Sequence, residues 1–249
     1  MLIRNGRVFM TFSASATDAR YCMGLLTANA NADLMDPTSW VKSPDPVFTT
    51  SEVTHVYGPG HNSFTVDEDG RDMLVYHGRD YRDIAGDPLF DPNRHTRAQH
   101  LYFNRDGTPN FGIPVGNGLL PVRLQPLDRP ESYVSHVDAR VALADPARVE
   151  TSQFRLVDGL AGGETTSFES LDAPGRFLRG SADAVTLAAD DGSPTFADEA
   201  SFAWRPGLAD AQASSWEAVG RRRAFLRHDG DALRVAAGGD PAGATFFLR

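Results

Sequence analysis

Histidine, arginine and aspartate carry the candidate chemistry of this 249-residue chain, and they fall in short clusters. The stretch "YGPGHNSF" (57–64) sets His61 directly behind two glycines and a proline, at the start of a strand-like run. Strand interiors normally avoid Gly and Pro, so such a start places backbone and imidazole at one particular point. A neutral imidazole suits a metal ion or an ordered water. One histidine makes no metal site, however, and by itself His61 reads as a hydrogen-bonded structural residue. Arg97, in "RHTRAQ", offers a guanidinium fork that can bond hydroxyls or bias a nearby carboxyl group. With Arg94 in the same segment, it reads equally as a surface arginine. Asp18, Asp80, Asp83, Asp87 and Asp91 read as solvated loop charges and turn caps.

The elements that must position these groups are strands. Asn5-Gly6, Asp69-Gly70 and Asp106-Gly107 sit beside apolar and β-branched runs, as two-residue hairpin turns do. In "RVFMTFS", Val8, Met10 and Phe12 share one face, and Phe9 and Thr11 the other. Helical periodicity is weak; its strongest candidate, "NADLMDPTSW", is interrupted by Pro37. Residues 1–117 therefore read as antiparallel β, with "GNG" (116–118) as a linker. A net charge of -9 argues against general affinity for nucleic acid. No apolar run approaches the length of a membrane span, and the first ten residues lack the pattern of a signal peptide. The single cysteine, Cys22, excludes an intramolecular disulfide and reads as a packed side chain.

Residues 119–249 contain an internal repeat. "SYVSHVD" (132–138), "RFLRGSA" (176–182) and "AFLRHDG" (224–230) correspond. Ahead of them stand "RLQPLDRPE", "SFESLDAPG" and "SWEAVGRRR"; behind them stand "SQF", "ASF" and "ATF". Three short all-β units cannot each bury a core alone, so they must share one. Threefold repetition of this kind predicts a β-trefoil with Phe154, Phe202 and Phe246 in its core.

Both halves resemble one known arrangement. "FSASATDARYCMGLLT", "GPGHNSF", "YHGRDY", "DPNRHTRAQ" and "DGTPNFGIP" resemble the later part of a glycoside hydrolase family 43 catalytic domain. That family includes α-L-arabinofuranosidases built on a five-bladed β-propeller. The repeat resembles the arabinofuranosidase-B-type trefoil, carbohydrate-binding module family 42. The fold expected is all-β: the last two propeller blades at 1–117, then an arabinofuranose-binding trefoil at 119–249. The resemblance implies inversion by a carboxyl acid and base, and places both upstream of Met1, so no catalytic residue is expected within this chain. It implies that His61 points toward the propeller axis beneath the sugar pocket, to bind a calcium-like metal ion or water, and that Arg97 reaches that pocket. His77 and His95 lie in matching segments without an assigned role. No organic cofactor is implied.

In the trefoil the resemblance implies a histidine after the "Tyr-Leu-Arg" strand, joined by an aspartate just before the closing "Ala-Thr-Phe". Donor and acceptor together can grip adjacent hydroxyls. The first lobe has His136 but Thr151 at the aspartate position. The second has Gly180 and Glu199. The third has His228 and Gly243, with Asp240 nearby. The third lobe is expected to bind best, through His228 and Asp240, and the second worst. The function implied is a secreted arabinofuranosidase acting on arabinose-containing plant polysaccharides, with this chain its inactive carboxyl-terminal part. The alternative is a non-catalytic protein that binds such polysaccharides, without nucleic-acid or membrane partners. A trefoil that binds protein partners has no feature in its favour.

Overall fold

The computed structural model describes every residue except Pro146 and Ala182. It divides the chain into two units, Met1–Leu120 and Pro121–Arg249. No helix among the described residues is long and apolar enough to cross a membrane.

The first unit contains two main antiparallel sheets with strands in chain order. One comprises Leu2–Arg4, Arg7–Ala14, Cys22–Asn29 and Val41–Lys42. The other comprises Tyr57–Val66, Asp72–Arg79 and His95–His100. Both faces of the Arg7–Ala14 strand are covered, since Val8 and Phe9 are both buried. Met23, Phe48, Val56, Leu74, Tyr76 and Phe111 belong to one apolar cluster. Of the three expected two-residue turns, only Asn5-Gly6 is one: both residues have positive φ, and Arg4 pairs directly with Arg7. At Asp69-Gly70 the Asp67 N–H donates to the Arg71 carbonyl at 2.9 Å, closing a three-residue loop. Asn104 and Thr108 close the same loop around Asp106-Gly107. In both, only the glycine is left-handed, which is the geometry of a three-residue hairpin loop. The segment "NADLMDPTSW" supplies only a 3-10 turn at Pro37–Ser39, capped by Asp36.

The second unit is a β-trefoil with a closed six-stranded barrel. The barrel strands are Leu124–Pro126, Phe154–Asp158, Thr166–Ser170, Phe202–Pro206, Ser214–Ala218 and Phe246–Leu248. Three bridges in equivalent registers link the two barrel strands of each lobe: Val122 to Phe154, Thr166 to Phe202 and Ser214 to Phe246. Three ladders join neighbouring lobes and complete the ring. Closure removes the free strand edges that invite association. Phe154, Phe202 and Phe246 are fully buried with Phe168 and Trp216, as the repeat predicts. Three hairpins, 133–144, 176–189 and 224–237, cover one end of the barrel. The second lobe also carries a short α-helix, Pro194–Glu199, which the weak helical periodicity did not suggest. Ser193 caps it by accepting from the Phe196 N–H at 3.1 Å, and Pro194 opens its first turn.

Candidate functional site

In the first unit, the Tyr57–Val66 strand is irregular where the glycines stand. Its pairing with Asp72–Arg79 shifts register between Tyr57 and Gly60, and again between Gly60 and Ser63. Gly58 has φ +60, and a Cβ there would press on the Asp18 carbonyl; at Gly60 it would press on the Tyr21 ring. The glycines thus let one loop of the preceding sheet approach the strand. His61 itself has φ +50 and is exposed, with its N–H donating to Ser13 Oγ at 2.8 Å. Its ring lies 6.2 Å from that of His77, which stacks on Tyr21 at 5.3 Å. Burial, then the charges of Arg94, Arg79 and His61, push His77 down to about 4. Among the described residues no group of three His, Cys, Asp or Glu side chains could hold a metal ion. The residues around His61 therefore do not by themselves fit the expected metal site.

Arg97 is buried on the His95–His100 strand. Its guanidinium donates to Gly78 O at 3.3 Å, to Asn117 Oδ1 at 3.1 Å and to Asp80. Asp80 keeps 44% of its side-chain surface exposed, against 6% for Arg97. Arg79 is also buried and joins two loops: it donates to Thr17 O at 2.8 Å and Pro88 O at 3.1 Å, and lies 3.5 Å from Asp91. Asp18, Asp87 and Asp91 each accept a backbone N–H two residues on, the turn-capping role read from sequence. Asp83 lines an open groove of about 360 Å³ with Asp18, Arg20, Arg82 and Pro88. His95 is exposed at the start of its strand.

In the trefoil, two histidine–carboxylate pairs form, both across lobe boundaries. His136 Nε2 lies 2.8 Å from Asp172 Oδ1 and 3.3 Å from Ser170 Oγ. Ser170 Oγ donates to the same carboxylate at 2.6 Å. Burial raises the Asp172 pKa, but the bonds from His136 and Ser170 outweigh it and leave the group below the ordinary carboxylate range. This pair lines a cavity of about 780 Å³, with Arg148 and Arg176 also on its wall. His228 Nε2 lies 2.8 Å from Asp128 Oδ1, and its Nδ1 lies 3.1 Å from the Gly230 carbonyl.

The partner expected for His228 was Asp240, and the structure corrects this. Asp240 caps the Pro241–Ala244 turn by accepting from the Ala242 N–H at 3.1 Å. Gly243 approaches the His228 ring instead, so the closing segment supplies backbone where a carboxylate was expected. The carboxylates Asp128 and Asp172 come from the "PLD" and "SLD" segments that precede each hairpin. Sequence reasoning missed them, although a signal exists. The third such segment has Gly220, which faces the lobe whose histidine is Gly180, so both members of that pair are missing together. A Cβ at Gly180 would overlap Val235 Cγ2, so the place of the second-lobe histidine is filled.

Residues 122–247 match the family model of the alpha-L-arabinofuranosidase B domain. The chain belongs to this domain family. Ahead of the arabinofuranosidase-B domain, residues 1–109 match glycosyl hydrolases family 43. The chain is 52% identical over 202 residues to an extracellular exo-alpha-(1->5)-L-arabinofuranosidase of Streptomyces avermitilis, covering 80% of this chain and 42% of the relative. It is 54% identical over 184 residues to alpha-L-arabinofuranosidase 43 of Humicola insolens, covering 71% and 38%. It thus spans less than half the length of these relatives. A solved arabinofuranosidase complexed with arabinofuranosyl-alpha-1,2-xylobiose superposes with a TM-score of 0.50 at 19% identity, over 72% of this chain and 51% of that one. That last likeness concerns the fold alone.

Proposed function

We propose that the arabinofuranosidase-B trefoil binds arabinofuranosyl side chains in the cavity at His136 and Asp172. The observation that carries this reading is the pair itself: a buried imidazole and a carboxylate 2.8 Å apart on the wall of an open cavity. Such a pair offers donor and acceptor to adjacent hydroxyls. The cavity favours the first lobe over the third, where His228 and Asp128 repeat the pair and form a second, weaker site. The first unit is then the last two blades of a five-bladed propeller in an extracellular, inverting arabinofuranosidase that acts on arabinan or arabinoxylan. Arg97 serves its sugar pocket by orienting the exposed Asp80 carboxylate. Inversion needs two carboxyl groups about 6.5–9.5 Å apart across the bond. Asp18, Asp87 and Asp91 cap turns and Asp80 pairs with Arg97, which agrees with the family resemblance in assigning the acid and base to earlier blades. The same observation favours a second reading, a non-catalytic arabinan-binding protein.

The test is affinity electrophoresis of the 249-residue chain in gels containing arabinan or arabinoxylan, beside an assay on an aryl α-L-arabinofuranoside. The expected result is retardation without turnover. His136→Ala should weaken retardation by about tenfold or more, since a lost charge-assisted contact is worth about 1.5–3 kcal/mol. His228→Ala should weaken it less. Retardation that survives His136→Ala and disappears with His228→Ala would give the site to the third lobe. Turnover above a denatured control would overturn the placement of the acid and base.

A further inference from the structure

The threefold repeat allows equivalent positions to be compared, and one boundary stands apart. Where the first and third lobes have histidine paired with aspartate, the boundary between the second and third lobes has Gly180 and Gly220. Nothing lies within 4 Å of a Cβ built at Gly220, so the place of the missing carboxylate is open. The turn that follows is Arg221-Arg222-Arg223, where the preceding lobe has Ala173-Pro174-Gly175. Arg223 takes φ +60 at the position where Gly175 has φ +77. A non-glycine residue held in that region costs about 1 kcal/mol or more, and such strain collects at functional positions.

An open groove of about 430 Å³ lies here, lined in part by Arg205, Arg221, Arg222, Glu217 and Gly220. Glu217 is engaged by Arg205 at 2.9 Å and by the Arg223 N–H at 2.8 Å. Among the described residues the Arg221 guanidinium has only the distant Glu199, at 3.7 Å, which Arg179 already holds at 2.6 Å. Arg222 is exposed and has no hydrogen-bond or ion-pair partner among the described residues. Three arginines thus face one carboxylate on the groove wall, in a chain of net charge -9. Paired guanidinium groups recognise a planar carboxylate by parallel hydrogen bonds.

We infer that this groove binds a carboxylate-bearing glycan, a uronate residue, through Arg221 and Arg222. The inference rests on the reading of the trefoil as a glycan-binding unit; the groove borders Gly220 but is walled by Ala203 and Arg205 of the barrel strands, so the acidic sugar sits beside the glycine boundary and not in the place of the His136–Asp172 cavity. The ligand's pyranose or furanose ring lies against Val219 and Gly220 while its carboxylate meets the two guanidinium groups.

The experiment uses the whole chain in native gels with and without polygalacturonate, and separately with neutral arabinan. Both the chain and polygalacturonate are acidic, so non-specific attraction does not produce retardation. The expected result is retardation by polygalacturonate that falls about tenfold in Arg221→Gln/Arg222→Gln, with arabinan retardation unchanged. Both substitutions are on an exposed turn, and an unchanged melting temperature checks the fold. Free galacturonate should release the chain, and inorganic phosphate at the same ionic strength should not. No retardation by polygalacturonate, equal retardation of the double variant, or equal competition by phosphate would each overturn the inference. No retardation of the parent chain by arabinan, with retardation by polygalacturonate intact, would refute the arabinofuranosyl reading and leave this site standing.

Discussion

Gly180 provides a direct measure of how firmly the second lobe is closed. Its φ is compatible with alanine, so Gly180→Ala has no backbone penalty, and a glycine removed from the unfolded chain is worth about 0.4–1 kcal/mol of stability. Against this, the new methyl would overlap Val235 Cγ2 and stand 3.4 Å from the Phe202 ring. Overpacking of this kind costs about 1–3 kcal/mol. The net expectation is a loss of about 1–2 kcal/mol. Val235 is 3% exposed, and Val235→Ala removes two methyl groups for about 2 kcal/mol. In Gly180→Ala/Val235→Ala the added methyl occupies the space that the valine leaves. The double variant should therefore be less destabilised than the sum of the two, by about 1 kcal/mol or more. Urea unfolding measures the cycle through tryptophan fluorescence, since Trp204 and Trp216, two of the three tryptophans, lie in the trefoil. Strict additivity, or a Gly180→Ala variant as stable as the parent, would refute the claim that Val235 fills the histidine site.

Two further outcomes follow from buried charge in the first unit. Arg79→Met should cost about 3 kcal/mol in urea unfolding and expose the 80–94 loop to trypsin at Arg82, because Asp91 loses its buried cation and two carbonyls lose their donor; a loss below about 1 kcal/mol would show that the arginine does not hold the loops. His77 stays neutral in the fold down to about 4, while the unfolded residue takes up its proton near 6.5. Between these values the unfolded state binds more protons, so this contribution is complete above about pH 6.5 and is lost as pH falls toward 4. The full shift corresponds to about 3 kcal/mol, which solvent screening of a half-buried ring reduces to about 1.5. His77→Gln should flatten the stability profile over that window, and an unchanged slope would exclude His77 as its source.

The architecture was legible where local pattern and long-range packing agree. An apolar residue at Val134, Leu178 and Leu226 and a closing phenylalanine recur because every lobe must fill the same core, and Phe154, Phe202 and Phe246 are accordingly in it. The Pro194–Glu199 helix was also written locally, in Ser193-Pro194, but is too short for periodicity to reveal. The Asp-Gly turns at 69–70 and 106–107 were misread because a dipeptide does not fix loop length; the Asp67–Arg71 and Asn104–Thr108 bonds do. The histidines of the candidate sites were found, whereas their carboxylates were not. His136 lies 36 residues from Asp172 and His228 lies 100 from Asp128, so neither pair leaves a mark on local spacing. Arg97 was read as a pocket residue, but its burial depends on Asp80 and Asn117, which only folding brings to it.

Because His136 meets the aspartate of the following lobe, and His228 reaches forward across the chain ends to Asp128, ownership of each pocket is circular. A single lobe, were it isolated as a monomer, would hold the histidine of one pocket and the aspartate of another, and no pocket at all. Three copies of such a lobe associating as a homotrimer would assemble three pockets at once. The order of the lobes along the gene is then immaterial to binding. A circular permutant of residues 121–249, opened between the second and third lobes with Pro121 joined to Arg249, should preserve both histidine–aspartate pockets.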